Sequence, residues 1–259
     1  MYIDGITISG ADDAVDPSRL YELSDKYPFV EWGILYHPEK SGSERYPSDK
    51  WIAKFDRFAP RFVRRAIHLC GGAADQFCSG DLSVVRDAAY HDPTFERVQV
   101  NLTPKILAMY SPSEIARLLI VSNSVVPTII QANDITLSVI VSLTQGKDVE
   151  GKYVQILIDE SRGKGKSLGD MKDIVLKWGG LFETSKCGFA GGIVPANIEE
   201  VIRQVKSVDN SCYNVESVLT GERNLPPSAW IDLESGARTR DAFDLDKVEL
   251  LLKEYARCV

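Results

Sequence analysis

Short apolar runs alternate with amphipathic helical patterns along the chain, and this alternation predicts eight βα units. The strands are predicted at residues 4–9, 29–36, 65–69, 97–102, 128–131, 153–158, 186–190 and 229–233. In the last predicted helix, apolar residues recur at helical spacing from Leu245 to Leu252, which gives the helix one buried face. Because strands that alternate with helices are typical of parallel α/β folds, we predict a single (β/α)8 TIM barrel over residues 1–259.

Capping residues predict where several helices begin. Asp16 is expected to cap a helix whose first position is Pro17, and Ser111 and Asp244 are expected to cap two others. Polar residues, with prolines at the end, fill residues 207–227, where we predict an irregular loop.

Aromatic residues at helical spacing identify a further core face. Trp51, Phe55 and Phe58 lie in a helix predicted over residues 49–62, and we interpret all three as core residues. One continuous helix is predicted over residues 73–90.

Three consecutive βα units end in loops of small residues. The sixth strand delivers a carboxylate, Asp159, directly before a glycine-rich loop, and the seventh precedes a helix predicted to begin at Pro195. Loops after the last strands of such barrels commonly bind phosphate, because glycines let backbone N–H groups approach an anion closely. Ordinary chain-reversing turns are the alternative. The predicted phosphate ligands are Gly163, Gly165, Lys166, Gly191, Gly192, Ser235 and Gly236.

These motifs, in chain order, make the sequence resemble phosphoribosylanthranilate isomerase, a (β/α)8 enzyme of tryptophan biosynthesis. The family's Lys-Ile-Cys-Gly, Ser-Pro-Arg-Tyr and Val-Gln-Leu-His-Gly motifs match only weakly. Its last three motifs match more specifically. The corresponding segments of this chain are Thr7-Ile8-Ser9-Gly10, Ser43-Glu44-Arg45-Tyr46, Val98-Gln99-Val100-Asn101-Leu102, Leu157-Ile158-Asp159 with Arg162-Gly163-Lys164-Gly165, Phe189-Ala190-Gly191-Gly192-Ile193, and Ile231-Asp232-Leu233-Glu234-Ser235-Gly236-Ala237-Arg238.

The resemblance implies roles for four residues and exposes one loss. It makes Asp159 and Ser9 the catalytic positions, and Arg45 and Asp232 substrate-binding ones. In the family the position of Ser9 is a cysteine that acts as general base, and a serine hydroxyl cannot replace it without a partner base.

Further departures affect the same region. The family's fourth-strand histidine is Asn101, its eighth-strand glutamate is Arg238, and a glycine-loop threonine is Lys164. His68, on the third strand, is interpreted as a core residue, with a replacement base as the alternative. The phosphate cradle is therefore retained while the acid–base pair is half lost.

Three of these site residues can also have a role other than the one that the resemblance implies. Asp159 can anchor its loop instead of transferring a proton, Arg45 can be a mobile surface residue, and Ser9 can simply donate a hydrogen bond to substrate. Asp159 and Asp232 are expected to face each other across the barrel mouth, which would raise the pKa of one of them and make it an acid.

Three functions follow from this reading. The first is acid–base isomerisation of a phosphorylated sugar, an intramolecular oxidoreduction that needs no cofactor. The second is another barrel enzyme of phosphosugars, such as an epimerase or aldolase. The third is a catalytically impaired protein that only binds a phosphorylated ligand.

Composition narrows the classes of partner. The 259 residues carry a net charge of −7, which argues against nucleic acid as a partner. No apolar run reaches the length of a membrane helix, and the start of the chain does not read as a signal peptide. Five irregularly spaced cysteines and three scattered histidines predict no metal site and a reducing, cytoplasmic location. The sequence carries no signal for the oligomeric state.

Overall fold

The fold is a closed barrel of eight parallel strands, which confirms the predicted (β/α)8 class. It is seen in a computed structural model that describes residues 2–90, 95–145, 154–159, 171–178, 185–207 and 228–259. Each strand pairs with the next, and the eighth pairs with the first. The strands are β1 (Tyr2–Ser9), β2 (Val30–Tyr36), β3 (Arg64–Leu69), β4 (Arg97–Val100), β5 (Thr128–Ala132), β6 (Gln155–Ile158), β7 (Cys187–Ala190) and β8 (Ser228–Leu233).

Helices follow the strands, and a short antiparallel hairpin follows β8. The hairpin consists of β9 (Arg238–Thr239) and β10 (Ala242–Phe243). The helices among the described residues are α1 (Pro17–Lys26), α2 (Asp49–Phe58), α3 (Gly72–Cys78), α4 (Ser83–Tyr90), α5 (Pro104–Met109), α6 (Pro112–Asn123), α7 (Leu137–Gln145), α8 (Met171–Trp178), α9 (Ile198–Ser207) and α10 (Leu245–Cys258).

The predicted helix caps are confirmed. The Asp16 carboxylate accepts from the N–H of Ser18, and Asp244 accepts from two backbone N–H groups at the start of α10. Ser111 forms a reciprocal capping box with Glu114 at the start of α6. Such caps satisfy N–H groups that the first turn of a helix leaves unpaired.

Some predicted helix boundaries were wrong. The continuous helix over residues 73–90 is two helices, because the chain turns at Gly80 with a φ of 95° that favours glycine. Helix α2 ends at Phe58, since the residue before Pro60 is driven into an extended conformation. Pro195 lies in a turn ahead of α9 rather than in its first turn.

Two further corrections concern residues near these helices. Phe58 is 62% exposed, so it is not a core residue, whereas Trp51 and Phe55 are buried as predicted. Helix α5 was not predicted, although Thr103 caps it and Pro104 occupies its first position. The irregular loop was predicted over residues 207–227; Ser207 is the last residue of α9, and the remainder of the predicted loop lies outside the described part of the chain.

The strands separate an outer apolar core from a polar barrel interior. Ile6 and Ile8 belong to the large core cluster, whereas Thr7 and Ser9, which alternate with them, point into the barrel. Four interior residues from four strands form one hydrogen-bonded layer: Thr7, Glu31, Arg97 and Gln155. A small apolar cluster fills another part of the interior: Ile129, Leu157, Ala190 and Trp230. The site described next lies above these groups.

Candidate functional site

A pocket opens at the carboxyl ends of the strands, where barrel enzymes hold their active sites. Its empty volume is about 520 Å³, and residues from all eight strands or the loops after them line it. Six of the predicted site residues line this pocket, together with others that were not assigned to the site. The former are Ser9, Asp159, Gly191, Gly192, Asp232 and Ser235; the latter include His68, Gln99 and Glu234.

Ser9 and His68 converge on the space above Gly33. A Cβ placed on Gly33 would stand 2.1 Å from Ser9 Oγ and 2.9 Å from His68 Nε2, so only glycine fits between them. Both side chains are buried, and neither Ser9 Oγ nor His68 Nε2 has a hydrogen-bond partner within the described ranges. Buried polar atoms are normally paired, so this pair of atoms is available to a ligand.

Burial fixes the charge of His68. Loss of solvation lowers the pKa of the imidazole to about 4, with Glu31 opposing the shift and Arg97 adding to it. The ring is therefore neutral at neutral pH, and one of its nitrogens can accept a proton.

Asp232 is the carboxyl whose proton affinity the site changes most. Burial raises its pKa to about 8; the charge of Arg97 opposes this shift, while Glu31, Asp159 and Glu234 add to it. Its Oδ2 atom is buried without a hydrogen-bond partner in the described structure. At neutral pH most of the Asp232 carboxyl is therefore protonated, chiefly because it is buried.

Asp159 stands at the position that the sequence predicted. It follows β6 directly and is buried, and its N–H donates to the carbonyl of Ala132 at 3.2 Å. The register of the sheet places Ala190 beside Asp232 and Ile158 beside Phe189. Asp159 and Asp232 thus reach the pocket from strands separated only by β7.

The loop after β7 is shaped by its glycines and by Asn197. Gly191 and Gly192 have φ values of 123° and 56°, which side-chain-bearing residues rarely adopt. The Asn197 amide donates to the carbonyl of Gly192 at 2.9 Å and accepts from the N–H of Val194 at 2.8 Å. These bonds hold the turn open toward the pocket.

The loop after β8 packs directly against it. A Cβ on Gly236 would lie 1.9 Å from the carbonyl oxygen of Ile193, so Gly236 serves this close approach, while Ser235 lines the pocket. The other predicted phosphate ligands, Gly163, Gly165 and Lys166, lie outside the described residues.

Arg45 lies at the rim and is engaged by the protein itself. Its Nη1 is 3.0 Å from Oε1 of Glu234 and its Nη2 is 3.8 Å from Asp241, with the side chain 36% exposed. The backbone of Arg45 has a φ of 62°, and its N–H donates to Asp12 at 3.0 Å. Arg45 is thus paired with acidic side chains of the chain itself.

Arg238 replaces the family's glutamate with a structural contact. Its guanidinium is buried and donates to the carbonyls of Gly10 and Asp241 and to the Asp12 carboxylate. It therefore joins the hairpin after β8 to the loop after β1, beside the pocket rather than within it.

Sequence reasoning missed two lining residues for identifiable reasons. In the sequence, Gln99 is simply one position of a predicted buried strand. Its amide donates to Asn101 at 2.8 Å. Its place in the pocket depends on the pairing of β3, β4 and β5. Glu234 lies between two matched motif residues, Asp232 and Ser235, and a carboxylate at that position was the available signal.

Comparison with known proteins identifies the fold. No protein-family profile matches the chain, and no curated protein matches it by sequence. Among solved structures, phosphoribosyl anthranilate isomerase from Thermococcus kodakaraensis is 16% identical, with a TM-score of 0.52 over 98% of this chain and 99% of that one. The enzyme from Thermus thermophilus is also 16% identical, with a TM-score of 0.55 over 98% of each chain.

A third isomerase was solved with a ligand. Its structure, in complex with reduced 1-(o-carboxyphenylamino)-1-deoxyribulose 5-phosphate, is 15% identical with a TM-score of 0.54 over 99% of this chain and all (100%) of that one. The predicted resemblance is confirmed for the fold, and the low identity fits a divergent relationship. The barrel is one that these isomerases also use.

Two searches of the described residues bear on other classes of site. None of the helices combines the length and apolar character that a membrane span requires. Histidine, cysteine and acidic side chains nowhere gather in threes with a geometry suited to a metal ion, in the ranges that the structure describes.

Proposed function

We propose that the protein is an acid–base isomerase of a phosphorylated sugar derivative, as the resemblance to phosphoribosylanthranilate isomerase implies. The observation that carries this proposal is that Asp159 and Asp232 line one pocket at the carboxyl ends of the strands. Isomerisation of an aldose to a ketose needs one group that gives a proton and another that takes one. Two carboxyls in one pocket, of which Asp232 has a raised pKa, can supply both.

The raised pKa favours Asp232 as the proton donor, although the resemblance assigns the acid role to Asp159. Asp232 protonates the ring oxygen as the sugar ring opens. Asp159 removes the proton from C2. The resulting enol takes that proton back at C1 from Asp159, while its C2 hydroxyl gives its proton to Asp232, so that C2 becomes a carbonyl and both carboxyls return to their starting states. The product is an isomer, so no oxidant, reductant or cofactor is consumed.

Ser9 and His68 support a second path for the C2 proton. The neutral imidazole of His68 and the Ser9 hydroxyl lie together in the pocket without partners of their own in the described structure. Ser9 is proposed to bind a substrate hydroxyl, and His68 to be the base that replaces the family's cysteine if Asp159 does not act.

The loops after β7 and β8 support a phosphate site. Gly191 and Gly192 line the pocket with the open backbone that anion sites use, and Ser235 adds a hydroxyl. With the loop containing Gly163, Gly165 and Lys166, they are proposed to hold the phosphate of the substrate, and Arg45 is proposed to lie near its other end.

Turnover of phosphoribosylanthranilate and of ribose 5-phosphate in deuterated water tests the proposal. Proton NMR reports both conversion and deuterium entering at the reacting carbons. We expect Asp159→Asn and Asp232→Asn each to lower kcat by about 10²–10⁴-fold, the usual contribution of a positioned acid or base. Asp173→Asn, on the exposed side of α8, is the matched control.

The alternatives predict other outcomes. A protein that only binds its ligand would bind these phosphates without conversion or exchange. An epimerase or aldolase would exchange or cleave other phosphosugars and leave both of these unchanged. Unchanged rates in both aspartate variants would contradict the assigned acid and base.

A further inference from the structure

The described side chains that line the pocket are more acidic than those of an ordinary anion-binding site. Three of them are carboxyls, Asp159, Asp232 and Glu234, and none of the described lining residues is a lysine or an arginine. We propose that the sugar phosphate bound here carries a cationic amino group, which lies between these carboxyls. This inference rests on the proposed function and specifies its substrate class.

Glu234, which lines the pocket, already forms an ion pair with Arg45. Arg45 Nη1 and Glu234 Oε1 lie 3.0 Å apart and form an ion pair. The geometry of this pair is not that of a hydrogen bond, and Oε1 has no hydrogen-bond partner in the part of the chain described. A substrate carboxylate would have to displace Glu234 from Arg45 and face three acids. Glu234 thus makes the contact with Arg45 that the resemblance assigns to a carboxylate of the substrate.

Buried acceptors without partners point the same way. Asp232 Oδ2 and Gln99 Oε1 both line the pocket, both side chains are more than nine-tenths buried, and neither atom meets a donor within the described structure. The Gln99 amide nitrogen is already used by Asn101, which leaves the oxygen to the ligand. An ammonium group has three donors and no acceptor, so it suits such a set of atoms.

Electrostatics favour this choice over a neutral or acidic group. Neighbouring carboxyls repel one another when ionised, and the pKa of Glu234 is raised by burial and by Asp159, against Arg45 and Arg238. A cation placed among these groups offsets the repulsion between those that are ionised. A second anion at the same place adds to it.

Three six-carbon compounds that carry a phosphate on C6 test the proposal by calorimetry at neutral pH: glucosamine 6-phosphate, glucose 6-phosphate and the sugar acid 6-phosphogluconate. We expect the amine to bind about tenfold more tightly than the neutral sugar, the value of one close charge pair in a partly buried site. The carboxylate is expected to bind about tenfold more weakly than the neutral sugar.

The variant Glu234→Gln removes one carboxyl and releases Arg45. It is expected to weaken glucosamine 6-phosphate and strengthen 6-phosphogluconate by about tenfold each, so that the order changes. Glu44→Gln, which removes the same charge from the exposed neighbour of Arg45, is the matched control and should leave the order unchanged.

The wild-type order tests the inference even if the variant does not fold. Equal affinities, or a preference for 6-phosphogluconate, would overturn the amino-group inference and leave the proposed phosphosugar function standing. Absence of binding for all three sugars and for inorganic phosphate would overturn both. If the wild type binds the three phosphates in the expected order of affinity and Glu234→Gln binds them in that same order, Glu234 does not cause the preference. That result would refute the inference.

Discussion

Arg97 and Glu31 form an ion pair inside the barrel: the guanidinium donates to the two carboxylate oxygens at 2.9 Å and 2.5 Å. Both side chains are buried, and the guanidinium lies 4.4 Å from the ring centre of Trp230. Burial alone would raise the pKa of Glu31, but Arg97 outweighs it and holds this pKa below its usual value. The pair is thus ionised and lies in the interior of the barrel, outside the lining of the pocket.

Removing one member of this pair leaves an uncompensated buried charge. We expect Arg97→Met to lower the free energy of unfolding by about 3–5 kcal/mol, and the double variant Arg97→Met with Glu31→Leu to lose less. Urea denaturation measures both. The exposed pair of Arg203 and Glu200 is the control, since Arg203→Met should give no measurable change. A double variant as unstable as the single one would contradict this account.

The raised pKa of Asp232 predicts that the folded protein becomes less stable as the pH rises. Its pKa is about 8 in the folded protein and near the ordinary aspartate value of about 4 in the unfolded chain. Between these values the folded state holds a proton that the unfolded state lacks, so the free energy of unfolding falls as pH rises. Buried His68 has a lowered pKa and gives the opposite slope below about pH 6.5.

Between about pH 6.5 and pH 8, His68 no longer contributes to the pH dependence of stability, so the effect of Asp232 is best measured there. There, Asp232→Asn should remove a slope of up to about 1.4 kcal/mol per pH unit. Urea titrations at several pH values measure it, with Asp25→Asn on the exposed face of α1 as control. A variant that keeps the wild-type slope would show that Asp232 does not bind the proton.

Gly33 limits the space for Ser9 and His68. Gly33→Ala places a Cβ 2.1 Å from Ser9 Oγ and 2.8 Å from the His68 ring, so one side chain must move. We expect a loss of about 1–3 kcal/mol in stability, the usual range for overpacking. Adding Ser9→Ala should recover part of it. Thermal and urea unfolding of the two variants decide the point, and no recovery would mean that Ser9 does not cause the clash.

Ser9→Cys tests whether the altered base position limits catalysis. A thiol has a pKa near 8.5 and yields a usable thiolate near neutral pH, whereas a hydroxyl does not. If the cysteine position still serves the reaction, Ser9→Cys should raise the turnover of phosphoribosylanthranilate by about 10²–10⁴-fold. A fully active wild type would instead direct attention to His68, whose replacement by glutamine should then abolish activity.

Inorganic phosphate should stabilise the folded protein through the loops after β7 and β8. At a hundredfold excess over its dissociation constant, a ligand of the folded state adds about 2.7 kcal/mol. Thermal melts with and without phosphate measure this effect, with sulfate and chloride series separating anion binding from ionic strength. A Gly192→Ala variant should lose the response, because its φ of 56° does not suit alanine. Identical melts at millimolar phosphate would count against the cradle.

The architecture was predictable because it depends on a repeated local pattern. Apolar runs between amphipathic segments specify parallel strands, and caps such as Asp16 and Ser111 are read from neighbouring residues. Helix boundaries were less predictable where a single residue overrides the pattern. Gly80 breaks a helix and Pro60 ends one, although both segments keep an apolar face beyond those points.

The site was predictable only in part, for a physical reason. Asp159 directly follows β6 and Asp232 lies near the end of β8, so their places at the carboxyl ends could be inferred from the sequence. The pairing of Arg45 with Glu234, and the meeting of Ser9 with His68, join residues far apart in the chain. Such contacts depend on the register and closure of the barrel, which no local pattern carries.

The pairing of β8 with β1 also determines when this protein can finish folding. Residues 228–233 are the last of the barrel to be made during synthesis. Until they leave the ribosome, the free edges of β1 and β7 offer unpaired backbone groups to other chains. A chaperone that covered these edges until β8 is made would therefore reduce aggregation of the nascent barrel.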